Sequence, residues 1–236
     1  MKTIGLVGGI TWHSSLDYYR IINEQINTML GEDNTAKIIL YSINYGEIKK
    51  LTHEENWDQI INIICHAAKR IEDAGADCLL IGANTMHKIA DEVQSSINIP
   101  LIHIADATAK EIKKKNISTV ALLGTKYTMQ FNFFRDKLAE YEIETIIPGE
   151  EDVQMVNDSI YNELAKGIIL SQTKQNYLHL INKLIEQGAE GIILGCTEIP
   201  LLIKQQDCSV PVFDTTYIHA MAAVNFALSE EKVFYL

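Results

Sequence analysis

Gly188-Ala189-Glu190-Gly191-Ile192-Ile193-Leu194-Gly195-Cys196-Thr197 repeats, type for type, the earlier stretch Gly75-Ala76-Asp77-Cys78-Leu79-Leu80-Ile81-Gly82-Ala83-Asn84. Each stretch opens on Gly-Ala and an acid, runs through apolar residues, and stops at a glycine followed by a small residue and a polar one. A short apolar run bounded by such residues reads as a buried strand with a polar exit. One match of this kind is what any two α/β units would share, so the neighbouring sequence has to carry the inference.

It does so in order. Thr3-Ile4-Gly5-Leu6-Val7-Gly8 lines up with Thr119-Val120-Ala121-Leu122-Leu123-Gly124, and Tyr18-Tyr19-Arg20 with Phe133-Phe134-Arg135. Ile99-Pro100-Leu101 lines up with Val210-Pro211-Val212, and Asp106-Ala107-Thr108 with Asp214-Thr215-Thr216. Matches in one order with little drift in spacing point to an internal duplication. Strands are expected at 3–7, 37–42, 78–81 and 101–104, and again at 119–123, 144–147, 191–194 and 210–213. Helical stretches at 15–30, 57–74, 129–141, 153–165 and 172–187 alternate with them, the pattern of parallel α/β sheets. The expected architecture is an α/β fold of two halves, 1–115 and 116–236, each a mostly parallel four-stranded sheet flanked by helices. The final helix is a candidate to cross back to the N-terminal half.

With 236 residues, 47% hydrophobic and 22% charged, the chain has enough apolar material for one sizeable core or two small ones. Its 20 Lys and Arg against 31 Asp and Glu leave a formal charge of −11 without acidic blocks, which argues against nucleic-acid or anionic-membrane partners. No basic segment precedes a long apolar one near Met1, and no apolar run reaches membrane-spanning length, so a cytoplasmic protein is expected. Four cysteines without CxxC pairing fit a reducing compartment.

Ligands of open α/β sheets bind outside the carboxyl ends of the strands, so two such halves nominate a cleft lined by Gly8-Gly9, Ala83-Asn84-Thr85, Thr125, Cys196-Thr197 and Asp214-Thr215. Cys196 is the one thiol that ends a strand; Cys65 and Cys78 read as small buried hydrophobes and Cys208 as a loop residue. Gly195 is expected to let the backbone turn and Thr197 to cap a following helix, which would put Cys196 at a helix N-terminus with its thiolate stabilised. Gly5 to Gly9 fits neither G-x-G-x-x-G nor the P-loop pattern. The loop Ile10 to Ser15, with Thr11 and Ser14, is either a carboxylate cradle or a plain capped turn. Asn84 and Thr85 are anion ligands, N-caps, or both, while His87 and Lys88 fall in the helix behind them, where either is open to a solvated, silent reading. Lys166, before Gly167, is either a helix C-cap residue or the counter-charge of an acidic substrate. The histidines show no metal-ligand spacing, so no metal site is expected, and no G-x-S-x-G motif is present.

Taken together, Gly8-Gly9 with Ser14 and Ser15, Asn84-Thr85, Leu123-Gly124-Thr125 with Thr128-Met129, Glu163 to Gly167 with Lys166, and Gly195-Cys196-Thr197-Glu198 resemble the cofactor-independent aspartate/glutamate racemase family over essentially the whole chain. The resemblance implies two Rossmann-like halves, a small amino-acid or dicarboxylate substrate, no pyridoxal phosphate or metal, and a homodimer. It also implies a mechanism in which two cysteines on opposite faces of the substrate exchange its α-proton. Cys196 matches one of them, whereas Ala83 stands where two-cysteine members carry the other. The implied substrate contacts are Gly9, Thr11, Ser14, Asn84, Thr85, Thr125, Thr128 and Thr197, with Lys166 on the distal carboxylate. Ala83 leaves three readings open. One is a racemase in which water or Thr85 relays the second proton; another is a cysteine replacement that would trap substrate. The third is a single-cysteine isomerase or decarboxylase of a small dicarboxylate, beside which stands a non-catalytic carboxylate-binding protein.

Overall fold

In the computed structural model, which describes residues 1–229, parallel strands form two separate sheets flanked by helices. The chain divides into two compact units, residues 1–103 joined by those from 219 onward, and residues 104–218. In the first, β1 (Ile4–Gly8) lies between β2 (Ile38–Ser42) and β3 (Cys78–Ile81), with Ile4 opposite both Ile38 and Cys78. In the second, the order is β5 (Glu144–Ile146), β4 (Thr119–Gly124), β6 (Gly191–Gly195), β7 (Val212–Asp214). Strands β1, β3 and β6 are buried throughout, as expected of parallel strands covered on both faces.

The duplicated residues perform duplicated tasks. The acid that opens each repeat clamps the start of the neighbouring strand: Asp77 Oδ2 accepts the Thr3 N–H at 2.6 Å, and Glu190 Oε2 accepts the Thr119 N–H at 3.1 Å. A glutamine then holds the segment that pairs next to β3 or β6. Gln94 donates to the Ile99 carbonyl (3.1 Å) and accepts from the Leu101 N–H (2.7 Å), while Gln205 does the same for Val210 (3.0 Å) and Val212 (2.9 Å).

Two expectations are corrected. The first sheet has three strands, not four, because the segment expected at 101–104 pairs only through Leu101 with Leu79. The Ile102 carbonyl is bound by the His219 ring at 2.6 Å, and helix Ile104–Lys114 begins directly afterwards. The division also falls at 103/104, ahead of the expected 115/116. Helix Ile104–Lys114 buries Ile104, Ala105, Ala109 and Ile112 against Val120, Phe134 and Ile193, all in the second unit. From His219 onward the last helix, Thr215–Leu228, belongs to the first unit.

Helix Trp57–Asp73 illustrates the local rule. Asn56 caps it by accepting the Gln59 N–H, and Ile60, Ile64, Ala67, Ala68 and Ile71 recur at helical spacing to bury one face. The helix expected at 129–141 is instead two, Lys126–Gln130 and Asn132–Ala139, separated by extended Phe131.

The core of the first unit encloses polar rings. His219 and His87 are buried with centroids 5.3 Å apart, and the Tyr18 hydroxyl lies 2.7 Å from His219 Nδ1. Burial first, then the neighbouring histidines, holds His87 well below the usual imidazole range, and burial drives His219 down to about 3. The unfolded chain therefore binds protons that the folded chain excludes once the pH falls below about 6.5. Stability is expected to be complete above that pH and to fall as pH is lowered, by up to about 1.4 kcal/mol per pH unit for each histidine. Urea unfolding between pH 8 and pH 5 measures this, and His219→Gln should flatten the slope; a wild-type midpoint that does not move would contradict it.

Candidate functional site

The exits of β4 and β6 lie side by side, with Gly124 opposite Gly195. A Cβ on Gly124 would stand 2.8 Å from the Gly195 carbonyl oxygen, and one on Gly195 would stand 2.9 Å from Leu122 Cδ1. Gly195 thus serves close packing within the strand rather than the expected backbone turn. Thr128 rests against this pair. Its N–H donates to Thr125 Oγ1 at 3.3 Å and the two hydroxyls are 3.1 Å apart, which caps the helix Lys126–Gln130. Thr11 and Ser14 repeat the arrangement at the exit of β1: the Ser14 N–H donates to Thr11 Oγ1 at 3.3 Å, with the hydroxyls 3.0 Å apart.

Cys196 follows Gly195, 9% exposed, in an apolar cluster with Leu164, Tyr177, Leu194 and Ile199. Its Sγ–H donates to Glu198 Oε2 at 2.9 Å, and the Thr197 hydroxyl donates to the same oxygen at 2.7 Å. Burial, followed by repulsion from the Glu198 carboxylate, pushes the thiol well above its usual range; the backbone N–H groups of Glu198 and Thr197 pull the other way but are outweighed. This corrects the expectation of a helix-stabilised thiolate. The helix that follows, Ile199–Leu202, is a single turn with little dipole, and it starts without a side-chain cap, since Thr197 bonds Glu198 instead. At rest Cys196 is a thiol whose hydrogen bond Glu198 accepts.

Lys166 closes a 3-10 turn, Leu164–Lys166, ended by Gly167 at φ 74°, and is exposed; Leu164 packs in the cluster that contains Cys196. Asp214 caps the last helix, accepting the Thr216 and Tyr217 N–H groups at 3.0 and 3.1 Å.

In the first unit, Gly9 has φ 84°, a conformation suited to glycine, and donates its N–H to Ser15 Oγ at 2.8 Å. The Gly82 N–H donates to the Val7 carbonyl at 2.9 Å, which seats Ala83 beside the exit of β1. Ala83 and Asn84 are buried, and Thr85, half-buried, opens the 3-10 helix Thr85–Ile89 with no side-chain cap from Asn84. His87, for which the sequence left a solvated position open, is buried with its Nδ1 2.9 Å from the Ala83 carbonyl oxygen.

Each unit therefore carries a strand-end cluster of hydroxyls, a glycine exit and a small residue, Ala83 in one and the thiol Cys196 in the other. The family model for Asp/Glu/Hydantoin racemase matches residues 7–223. The chain belongs to this family. It is 26% identical to the broad-specificity amino-acid racemase of Bacillus subtilis, over 97% of this chain and all of the relative. Among solved structures, a candidate Asp/Glu racemase from Yersinia pestis shares 47% identity with a TM-score of 0.92, covering 97% of this chain and 100% of its own. An aspartate racemase homologue from Pyrococcus horikoshii shares 39% with a TM-score of 0.84, covering 96% and 99%. The fold class and the family resemblance read from the sequence are thereby established.

Two residues escaped the sequence reading of the site. Glu198 had one signal, an acid two positions after the cysteine. His87 had none, since a histidine two residues into a predicted helix carries no mark of burial. Replacing the acid, Glu198→Gln, removes a carboxylate that opposes thiolate formation, so Cys196 should react faster with a small alkylating agent at pH 8 than in the wild type. Mass spectrometry of the Cys196 peptide over time reads the difference, and an unchanged or slower rate would contradict the assigned cause of the shift.

Proposed function

We propose that the chain racemises an acidic amino acid, aspartate or glutamate, by moving its α-proton through Cys196 without pyridoxal phosphate. The observation that supports this reading most is the buried Cys196 thiol donating to Glu198. For Cys196 to act as a base, it first loses its resting proton to solvent, against burial and the Glu198 carboxylate that accepts its hydrogen bond, and the thiolate then takes the α-proton. The carbanion formed spreads its charge into the substrate carboxylate, and the family resemblance assigns Gly9, Thr11, Ser14, Asn84, Thr85, Thr125, Thr128 and Thr197 as substrate ligands. Lys166 is assigned to the distal carboxylate.

Inversion needs a proton delivered to the opposite face, and Ala83 has none to give. Water or Thr85 supplies it slowly, which makes inversion slower than exchange. Ala83 equally favours a second reading, in which the single thiol protonates a carbanion or adds to an alkene in an isomerase or decarboxylase of a small dicarboxylate.

Incubation with L-aspartate or L-glutamate in deuterated water is expected to show deuterium entering the α-position, dependent on Cys196 and lost in Cys196→Ala. Ala83→Cys is expected to raise the rate of inversion by about 100-fold to 10,000-fold, the usual contribution of a positioned acid/base group. Absence of exchange with either amino acid, together with turnover of maleate or an arylmalonate, would replace the racemase by the second reading. Binding of these ligands without any turnover would leave a carboxylate-binding protein.

We also assign the active form as a homodimer. Trp12, Leu16 and Tyr19, 60%, 56% and 54% exposed, form a stripe on one face of helix Trp12–Leu30, and the edge strand β2 adds exposed Leu40 and Tyr41. Sedimentation equilibrium should give a dimer that Leu16→Glu dissociates; a wild-type monomer at micromolar concentration would refute this.

A further inference from the structure

The loop between β3 and the 3-10 helix Thr85–Ile89 carries Asn84 and Thr85, and one ring is tied to it from beneath. A carbonyl oxygen can only accept, so the 2.9 Å contact with the Ala83 carbonyl requires the proton of His87 on Nδ1. His87 Nε2 is then a bare acceptor, buried and with no hydrogen-bond partner among the described residues. The one hydrogen bond that the ring makes within the described residues is therefore the one to the Ala83 carbonyl.

The surroundings hold the ring in place. His103 meets it edge-on at 4.8 Å between centroids, and His219 at 5.3 Å. His219 is itself fixed in the opposite tautomer, since Nε2 must donate to the Ile102 carbonyl (2.6 Å), leaving Nδ1 to accept from Tyr18 (2.7 Å). Tyr18 in turn packs under the loop: a Cβ on Gly82 would lie 3.7 Å from its Cδ2. Along the chain the loop makes a very tight turn, with the Ala83 N–H donating to the Ile81 carbonyl at 2.8 Å.

The duplicated half solves the same problem without a side chain. There the position matching His87 is Pro200, and the Cys196 carbonyl accepts the Ile199 N–H at 3.3 Å. The histidine is thus a property of the first strand end only.

We propose that His87 is a positioning residue of the reaction: its Nδ1–H, donated to the Ala83 carbonyl, fixes the orientation of the Ala83–Thr85 peptides that hold the substrate. This rests on the assignment of Asn84 and Thr85 as substrate ligands. The bond turns the Ala83 carbonyl into the core and so sets the direction in which the following residues face, while the ring itself stays clear of the reacting atoms.

His87→Asn and His87→Leu test it, because the Asn amide can place an N–H near the Nδ1 position and Leu cannot. In the Leu variant the KM for α-proton exchange should rise by between about tenfold and a hundredfold with kcat much less affected, as expected of a misplaced binding loop. Asn should recover most of the loss. Hydrogen–deuterium exchange of the peptide spanning residues 82–90 reads the same bond without turnover: faster in Leu, near wild type in Asn. Wild-type KM in a folded Leu variant, or equal impairment and equal loss of melting temperature in both variants, would reduce His87 to a packing residue and overturn the proposal. If the wild type exchanges no amino acid, the racemase reading fails, and the exchange of residues 82–90 still decides whether the bond orders the loop.

Discussion

Strands buried on both faces leave nowhere for a polar group except their ends, and this constraint shapes everything that follows in the chain. β1, β3, β4 and β6 are apolar along their length, so their backbone groups are satisfied by parallel ladders and their chemistry is displaced to the carboxyl ends. The ends are then organised by short-range bonds: hydroxyl pairs at Thr11–Ser14 and Thr125–Thr128, acids that clamp the start of the adjacent strand, and glutamines that hold the segment pairing next to β3 or β6. Because these devices recur in both units, the differences between the units stand out against a common background.

The differences concern residues 83 and 196. One strand end presents a methyl group over a carbonyl tied down by a buried imidazole, and the other presents a thiol bonded to a buried carboxylate. The thiol's environment favours its protonated form, because burial and the adjacent negative charge both oppose the thiolate. The Glu198 oxygen that accepts the thiol's hydrogen bond is also the charge that most directly opposes its ionisation. Burial likewise keeps His87 and His219 neutral, and their tautomers are then set by the carbonyl oxygens they face.

Much of the fold was legible in the residues. The duplication, the strands of both sheets from 3–7 to 191–194, and the cluster of small and polar residues at strand ends follow from apolar runs and their punctuation, which are local. The family was legible too, from motifs that are individually weak. What failed locally was the fourth strand of the first sheet, where His219 takes the carbonyl of Ile102 from far along the chain. The boundary near 115–116 failed for the same reason: whether helix Ile104–Lys114 packs forward or back is decided by which core its apolar face meets.

By itself the sequence determined the α/β class and the repeat and singled out Cys196 as the thiol at a strand end, since each depends only on residue type and spacing. The reading of Ala83 as the place of a second thiol came from the family resemblance. Tertiary structure alone decided the state of those groups. Proton affinity is set by what surrounds a side chain, and the Glu198 oxygen beside the thiol, the ring beneath the Ala83 carbonyl and the depth of both exist only once the strands have brought distant residues together.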